Sequence, residues 1–291
     1  MKHLFVCLLG VMAVLVSCNK DKTPIVPVVP QEQNAGVIVV SESAEAIVPL
    51  KGGMRIVVER IEFMRGGSYV GSGYENPIVK SEEPKKVYFS GSFEKASDGY
   101  HLSGDLEGVV SMADEEVEFN CGGESVVVGG SFEPATPPET DIEKALCVSW
   151  RVVAIDVRLN NPNLAHKWTG DEACDLHGIA QYLKNNEFNI NPDDYQGYFI
   201  ERVSLSPTPD GTATVSFTQH GIQPVVGTWN WIDMSQQTVS YEILTEMKGH
   251  LFDGNASGSV AFEDGYNTLK VSVAVRVNDH TGTAVVTANR I

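Results

Sequence analysis

The sequence predicts a mainly β protein with two antiparallel β domains, the second of which also contains one helix. Short runs in which apolar and polar residues alternate recur through most of the chain, between clusters of glycine, proline and charged residues. Only residues 171–186 repeat apolar side chains at a helical spacing. A stretch rich in glycine and proline, 129–145, divides the strand-rich sequence near its middle.

The first seventeen residues read as a secretory signal peptide. A short basic start at Lys2 is followed by a continuous apolar run, and the run ends in small residues. The run is too short for a membrane-spanning helix, which needs roughly 20 apolar residues. We therefore expect residues 1–17 to be removed from an exported protein.

The end of this segment, Leu15-Val16-Ser17-Cys18, resembles the lipobox of bacterial lipoproteins. The resemblance implies cleavage before Cys18 and a diacylglycerol on the sulfur of Cys18, often with a further acyl chain on the new amino group. Two or three chains hold a protein at a membrane durably, whereas one chain binds only marginally. The alternative is a signal peptide cut elsewhere, with Cys18 incidental.

Residues 18–34 then form a tether. Three prolines recur at every third position there, which favours an extended polyproline II spacer; they are Pro24, Pro27 and Pro30. The Cys-Asn-Lys-Asp start is similar to lipoproteins that Bacteroidales-type bacteria send to the outer face of the outer membrane. Lys22 stands where those proteins usually carry a second acid. We expect an outer-membrane protein; the pattern favours the cell surface and leaves the periplasmic face as the alternative.

Composition limits the partners. The formal net charge is −17, which disfavours nucleic acid and electrostatic docking on anionic lipid. The membrane partner is therefore reached through the acyl chains on Cys18. Among the remaining cysteines, Cys147 and Cys174 either form one disulfide or stay as buried thiols.

Residues 35–133 are predicted to form a small all-β domain, either a sandwich or an open barrel. The candidate strands alternate apolar and polar residues and are 54–63, 86–93, 100–110 and 124–130. The repeated "SGSF" and "LSGDLEG" pattern resembles small calycin-like modules of the same lipoprotein group. Residues 134–143 are predicted to be a linker.

Residues 144–291 begin with a long predicted strand, 147–159. Its adjacent valines, Val152 and Val153, indicate a bulge at which the inward face switches. The one predicted helix, 171–186, begins at Asp171 and buries a face formed by Cys174, Leu176, Ile179, Ala180 and Leu183. Five further strands follow, at 212–218, 238–244, 257–263, 269–277 and 283–288.

Trp150 on the first long strand and "GTWNW" at 227–231, followed by meandering strands, resemble the lipocalin-like domains of bacterial lipoproteins. The resemblance implies an up-and-down barrel that encloses one small apolar ligand. It also implies an arginine over the first-strand tryptophan, for which Arg276 and Arg290 are both candidates. The usual Gly-x-Trp is Val148-Ser149-Trp150 here, without the glycine.

Four aromatic residues are the predicted ligand contacts: Trp150, Trp229, Trp231 and Tyr241. Large aromatic rings line apolar sites and stack against lipids, pigments or sugars. The other interpretation is ordinary core packing at the closed end of the barrel, because aromatic residues also dominate cores.

No motif predicts catalysis, and no cofactor or metal is expected. The histidines have no metal-ligand spacing, and no nucleophile motif is present. Residues 253–264 match part of a calcium-loop pattern, but no helix flanks them and a hairpin turn followed by a strand explains the same letters.

The sequence therefore predicts a non-enzymatic, lipid-anchored envelope protein whose C-terminal barrel binds a small apolar or amphipathic molecule. The alternative is a structural or adhesive surface protein that binds proteins or glycans through its β domains. A hydrolase whose acids meet only on folding is a third, more distant hypothesis.

Overall fold

A computed structural model describes residues 35–41, 45–76, 84–160, 165–186, 190–207, 211–219, 221–245, 255–277 and 280–291. The described chain forms two compact units: residues 35–137 belong to the first, and residues 138–219 and 225–291 belong to the second. Each unit is a closed antiparallel β-barrel of eight strands. The mainly β class and the two β domains are thereby confirmed.

Barrel 1 is built from β1 and β3 to β9, and the short β2 extends one side of β3. The strands are β1 (Gly36–Val40), β2 (Ile47–Pro49), β3 (Arg55–Phe63), β4 (Ser68–Asn76), β5 (Lys86–Ala96), β6 (Gly99–Gly104), β7 (Gly108–Ala113), β8 (Glu116–Cys121) and β9 (Glu124–Pro134). Each of β3 to β8 pairs with the next strand along the chain, and β1 pairs with both β3 and β9. Of the two architectures that the sequence left open for this domain, a barrel is present, and it is closed.

Alternation of the strand residues fills the interior of barrel 1 with apolar side chains. Glycines admit the larger rings: a Cβ built on Gly71 would overlap the ring of Phe89, which lies opposite on β5. The rings also contact one another, and those of Phe63 and Tyr100 stack with centroids 3.9 Å apart. The interior is therefore a packed core of the usual kind.

One predicted strand of this domain, 100–110, is wrong as a single element. It is two strands, β6 and β7, joined by a turn. Gly104 and Gly108 have φ of +135° and +147°, a backbone region that side chains disfavour, and they allow the chain to turn at these points. Leu106 lies between them and is completely buried, so its apolar side chain follows the strand alternation even though its backbone is in the turn.

Barrel 2 is built from β10 and β12 to β18, and the short β11 extends one side of β10. The strands are β10 (Ser149–Leu159), β11 (His166–Thr169), β12 (Ile200–Leu205), β13 (Gly211–Phe217), β14 (Val225–Asp233), β15 (Thr238–Ile243), β16 (Asn255–Glu263), β17 (Thr268–Val277) and β18 (His280–Arg290). Strands β12 to β18 follow one another round the barrel, and β10 closes it against β12 and β18. This is the predicted up-and-down order.

The predicted bulge in the first strand is confirmed. The pairing of β10 with β18 shifts register between Val152 and Ala154. As a result Trp150 and Val152 before the bulge, and Ile155 after it, all point inward and are buried. Without the extra residue, a strand of strict period two would turn one of these sets outward.

Two α-helices lie in the described residues, both in the second unit. The predicted helix is α2 (Leu176–Asn185), and all five residues of its predicted apolar face are buried. Its start differs, because Asp171 lies in a 3-10 turn (Gly170–Ala173) and Asp175 is the N-cap. Helix α1 (Asp141–Leu146) was not predicted and begins inside the expected linker.

Candidate functional site

The predicted anchor, Cys18, and the signal and tether segments lie outside the described residues. The four aromatic candidates all lie in barrel 2. Three of them are on β10 and β14, and Tyr241 is on β15. In the pairing register their side chains share the inward face of the barrel.

Trp150 is completely buried near the beginning of β10. Its indole Nε1 donates a hydrogen bond of 3.0 Å to the carbonyl oxygen of Leu146, the last residue of α1. Its ring centroid lies 6.1 Å from that of Phe262. On the neighbouring strand β18 the residue directly opposite is Arg290, whereas Arg276 is opposite Thr281. The register therefore selects Arg290 from the two arginines.

Helix α1 is fixed to this end of the barrel through a buried carboxylate. Glu143 is 3% exposed, and its Oε1 accepts a hydrogen bond of 3.1 Å from Nε1 of Trp231. Its Oε2 accepts from the backbone N–H groups of Glu139 and Thr140, while the Thr140 hydroxyl caps the helix in return. This reciprocal capping box starts the helix. The helix and Trp150 together close one end of the barrel.

Trp229 and Tyr241 form an opposed pair on β14 and β15. Trp229 is 1% exposed and donates from Nε1 to the carbonyl oxygen of Ser206 over 2.8 Å. Tyr241 is 3% exposed, and burial raises the pKa of its phenol. Trp231 is half-buried and meets Trp229 edge to face, with centroids 5.5 Å apart.

The exposed fractions of the four aromatic side chains determine which of them can contact a ligand. A side chain with almost no accessible surface borders no water-sized space, so Trp150, Trp229 and Tyr241 contact other protein atoms in this structure. A ligand inside the barrel could reach their rings only if neighbouring side chains moved. Among the predicted contacts, only Trp231 presents part of its surface.

A second aromatic cluster, which the sequence did not predict, lies on β11 and α2. Strand β11 pairs with β10 so that Trp168 is opposite Ile155 and His166 is opposite Val157. Opposed residues share a face, so both lie on the side of β10 that faces the interior. Tyr182 of α2 completes the cluster, with its ring centroid 4.1 Å from that of His166 and 5.3 Å from that of Trp168.

This cluster, His166–Trp168–Tyr182, differs from the four predicted residues in exposure and place. His166 and Tyr182 are half-buried, and Trp168 is 6% exposed. Val157 lies seven residues beyond Trp150 on β10, which corresponds to roughly 20 Å along a strand. The cluster is therefore at the other end of the strand from the closed end. Its sequence signal was limited to "HKW" at 166–168, two rings at alternate positions for which no local pattern indicates a partner.

Three cysteines lie in the described residues. Cys121, Cys147 and Cys174 are buried thiols, and Cys147 and Cys174 form no disulfide with each other. Burial raises the pKa of both Cys121 and Cys174 to about 11, which disfavours the nucleophilic thiolate. The Cys174 thiol instead lies 3.4 Å from the carbonyl oxygen of Val152 beside the bulge.

Within the described residues, no group of three or more His, Cys, Asp or Glu side chains is arranged to hold a metal ion. Residues Asn255–Glu263 of the calcium-like stretch are strand β16, and Asp253 lies outside the described residues. No helix of the described chain has the length and apolarity to cross a membrane.

Comparisons with known protein families, curated proteins and solved structures give no match to this chain. The candidate site therefore depends on its own geometry: a barrel closed at one end by α1 and Trp150, with a partly exposed aromatic cluster at the other end of β10.

Proposed function

We propose that this protein is a non-enzymatic, lipid-anchored protein of the cell envelope whose second barrel binds one small apolar or amphipathic molecule. The observation that carries the proposal is the His166–Trp168–Tyr182 cluster, in which His166 and Tyr182 are half-buried and the two β11 residues share the inward face of β10. The anchor is the acylated Cys18, and the outer membrane is the expected location.

The shape of barrel 2 supports a ligand of limited size. Eight strands leave an interior just wide enough for side chains or for one small ligand. At the end where β10 begins, the buried Trp150 ring takes up part of that interior and is hydrogen-bonded to the last residue of α1. A ligand would therefore enter from the end that carries Tyr182 and His166, and would not need to reach Trp229 or Tyr241.

The chemistry of the cluster indicates the ligand class. Aromatic rings offer apolar faces, and the His166 ring adds one polar group that can orient a headgroup. The acidic chain, with a net charge of −17, disfavours anionic ligands at long range. A neutral molecule with an apolar body and a polar end fits these conditions.

A dye titration tests this binding. The full chain with Cys18→Ser, which carries no acyl chains, is titrated with the neutral fluorescent dye Nile red. Tyr182→Ala is expected to weaken dye binding at least fivefold. Gln181→Ala is the matched control, because Gln181 is the exposed neighbour on α2 and its variant should bind as the parent does. Absence of dye binding, or equal binding by both variants, would refute a site at the cluster.

Membrane fractionation tests the anchor separately. Cys18→Ala should release the protein from the membrane fraction of its host, because no thioether can form. Cys7→Ala changes a cysteine within the apolar run and should remain membrane-bound. Mass spectrometry of the processed chain should show diacylglycerol on Cys18; an unmodified thiol there would overturn the anchor without bearing on the barrel.

A second candidate function is favoured by the packing of buried side chains inside the two barrels. Trp150, Trp229 and Tyr241 are packed, and barrel 1 is filled by its own apolar cluster. Rigid, filled barrels suit a structural or adhesive surface protein that recognises proteins or glycans with its outer strands and loops. Purified full chain bound to an array of envelope glycans would support this function, and loss of that binding on removal of residues 35–140 would assign it to the first domain.

A further inference from the structure

We infer that barrel 1 and barrel 2 are two copies of one module, duplicated in tandem within the chain. The hydrogen-bonding registers inside the two barrels correspond strand by strand. Each barrel has eight strands in the same order, which makes the comparison possible: β1 corresponds to β10, and β3 to β9 correspond to β12 to β18.

The first strands close the two barrels in the same way. Ile38 of β1 lies opposite Ile61 on one side and Phe132 on the other. Trp150 of β10 lies opposite Val203 and Arg290. These pairs make Ile61 equivalent to Val203 and Phe132 equivalent to Arg290.

A bulge occurs at the same point of each second strand. The register of β3 with β4 shifts between Val58 and Arg60, and that of β12 with β13 shifts between Ile200 and Arg202. In each barrel the residue that closes against the first strand, Ile61 or Val203, comes directly after the arginine.

The local sequences at the two bulges also agree. They read Val-Glu-Arg-Ile at 58–61 and Ile-Glu-Arg-Val at 200–203. The arginine faces a serine of the third strand in both cases, Arg60 opposite Ser72 and Arg202 opposite Ser216. The extra residue at each bulge is a glutamate, and it stands outside the inward alternation.

The fourth strands share a glycine. Gly91 lies opposite Gly104, and Gly227 lies opposite Ile243. A Cβ on Gly91 would overlap the carbonyl oxygen of Ser103. A Cβ on Gly227 would overlap the carbonyl oxygen of Glu242. Ser103 and Glu242 are equivalent, because each comes one position before the residue that lies opposite the glycine. Both glycines thus allow the same close approach of two strands.

The remaining ladders give an independent check. Continuing from these glycines through the later strands makes Val110 equivalent to Gly258, and Phe119 equivalent to Val273. The last ladders then match Phe132 with Arg290. The pairing of the first strands, Ile38 with Phe132 and Trp150 with Arg290, gave the same equivalence.

Barrel closure alone explains the shared registers but not the shared bulge and the shared glycine. Strand number and stagger are linked in any closed barrel, so two unrelated barrels of one size can share registers. Closure does not dictate where a bulge falls, which residues form it, or where a glycine relieves a contact. The shared Glu-Arg bulge and the shared glycine are therefore the observations that favour duplication.

The copies differ most in one connection, and barrel 2 also has register shifts between Val152 and Ala154 and between Trp231 and Asp233. Between the first and second barrel strands, barrel 1 has residues 41–54 and barrel 2 has residues 160–199. The longer connection carries β11, α2 and the aromatic cluster. In this interpretation that segment is an insertion specific to the second copy.

Matched substitutions in the full chain test the equivalence, with hydrogen exchange followed by mass spectrometry. Gly91→Ala and Gly227→Ala should each raise exchange at least tenfold in the strands of their own barrel. The matched controls, Ser92→Ala and Thr228→Ala, change the adjacent outward residues and should raise exchange less than twofold. A large rise in hydrogen exchange for one glycine variant and a small rise for the other would contradict the structural equivalence of Gly91 and Gly227.

Deletions at the bulges provide a second measurement if the glycine variants do not fold. Removing Glu59 or Glu201 takes away the extra residue and leaves the alternation intact, so both variants should keep exchange within threefold of the parent. Removing Ile61 or Val203 shifts every later side chain of its strand to the opposite face, and each should abolish protection in its own barrel. A bulge deletion tolerated in one barrel and not in the other would refute the duplication.

Discussion

Trp150 and Arg290 lie directly opposite each other on β10 and β18, the two strands that close barrel 2. Opposed residues of antiparallel strands place their side chains on one face, so the pair sits at the inner side of the seam. Trp150 adds the hydrogen bond to Leu146 and so joins the seam to α1. The indole of Trp150 therefore takes part both in the pairing of β10 with β18 and in the attachment of α1 to the barrel.

Trp150→Ala should lower the free energy of unfolding of barrel 2 by about 3–5 kcal/mol, because a large buried ring is lost and a cavity remains. Denaturant unfolding followed by tryptophan fluorescence measures this directly, since all four tryptophans of the chain are in the second unit. Arg151→Ala, at the exposed next residue, should change stability by less than about 0.5 kcal/mol. Equal midpoints for the two variants would contradict a structural role for the indole.

Glu143→Ala should destabilise barrel 2 by about 2 kcal/mol, because it removes the capping carboxylate and leaves Nε1 of Trp231 without its acceptor. The same unfolding experiment measures the loss, and the emission of Trp231 should shift as its environment changes. Glu139→Ala is the control, since the Glu139 side chain is exposed and only its backbone N–H takes part. Wild-type stability in Glu143→Ala would mean that α1 is not needed to close the barrel.

Sequence patterns predicted the features that depend on neighbouring residues. The adjacent valines at 152 and 153 marked the bulge because two apolar residues in succession cannot share a strict alternation. The buried face of α2 followed from its helical spacing. Helix α1 had a signal as well, since Thr140 and Glu143 form the S/T-x-x-E pattern of a capping box, but the surrounding prolines favoured a linker.

The remaining features depend on pairs far apart in the chain. Trp231 and Glu143 are 88 positions apart, and only the closed barrel brings them together. Strand β12 escaped prediction because its bulge places two polar residues in succession, Glu201 and Arg202, which breaks the expected alternation. The His166–Trp168–Tyr182 cluster needs both the β10–β11 register and the position of α2, neither of which a local pattern reports.

The thiols of Cys121 and Cys174 should resist alkylation in the folded protein. Burial hinders access, and it also raises the pKa of each thiol to about 11, so little thiolate is present at pH 8. Iodoacetamide at pH 8 followed by mass spectrometry should label neither residue within an hour, and should label both in denaturant. Rapid labelling of Cys174 in the native protein would indicate that the connection carrying α2 opens away from β10.

Tyr69 in barrel 1 gives a prediction for alkaline pH. Its hydroxyl donates to the carbonyl oxygen of Leu106 over 2.8 Å and accepts from the Leu106 amide over 3.0 Å, which fixes the β6–β7 turn. Burial raises the pKa of this phenol in the folded state. The unfolded chain has an ordinary tyrosine pKa of about 10, so the stabilising difference is present below pH 10 and is lost as pH rises above it.

Tyr69→Phe should therefore be less stable than the parent at pH 7, by about 1–3 kcal/mol, because two buried backbone groups lose their partner. It should also lose less stability than the parent between pH 9 and 11, since one group that ionises only on unfolding is gone. Hydrogen exchange of barrel 1 peptides at the two pH values, corrected for intrinsic rates, measures both effects. Ser92→Ala changes no titrating group and should reproduce the parental pH dependence. A Tyr69→Phe variant with the full parental loss at pH 11 would show that ionisation of other groups governs the alkaline unfolding of this barrel.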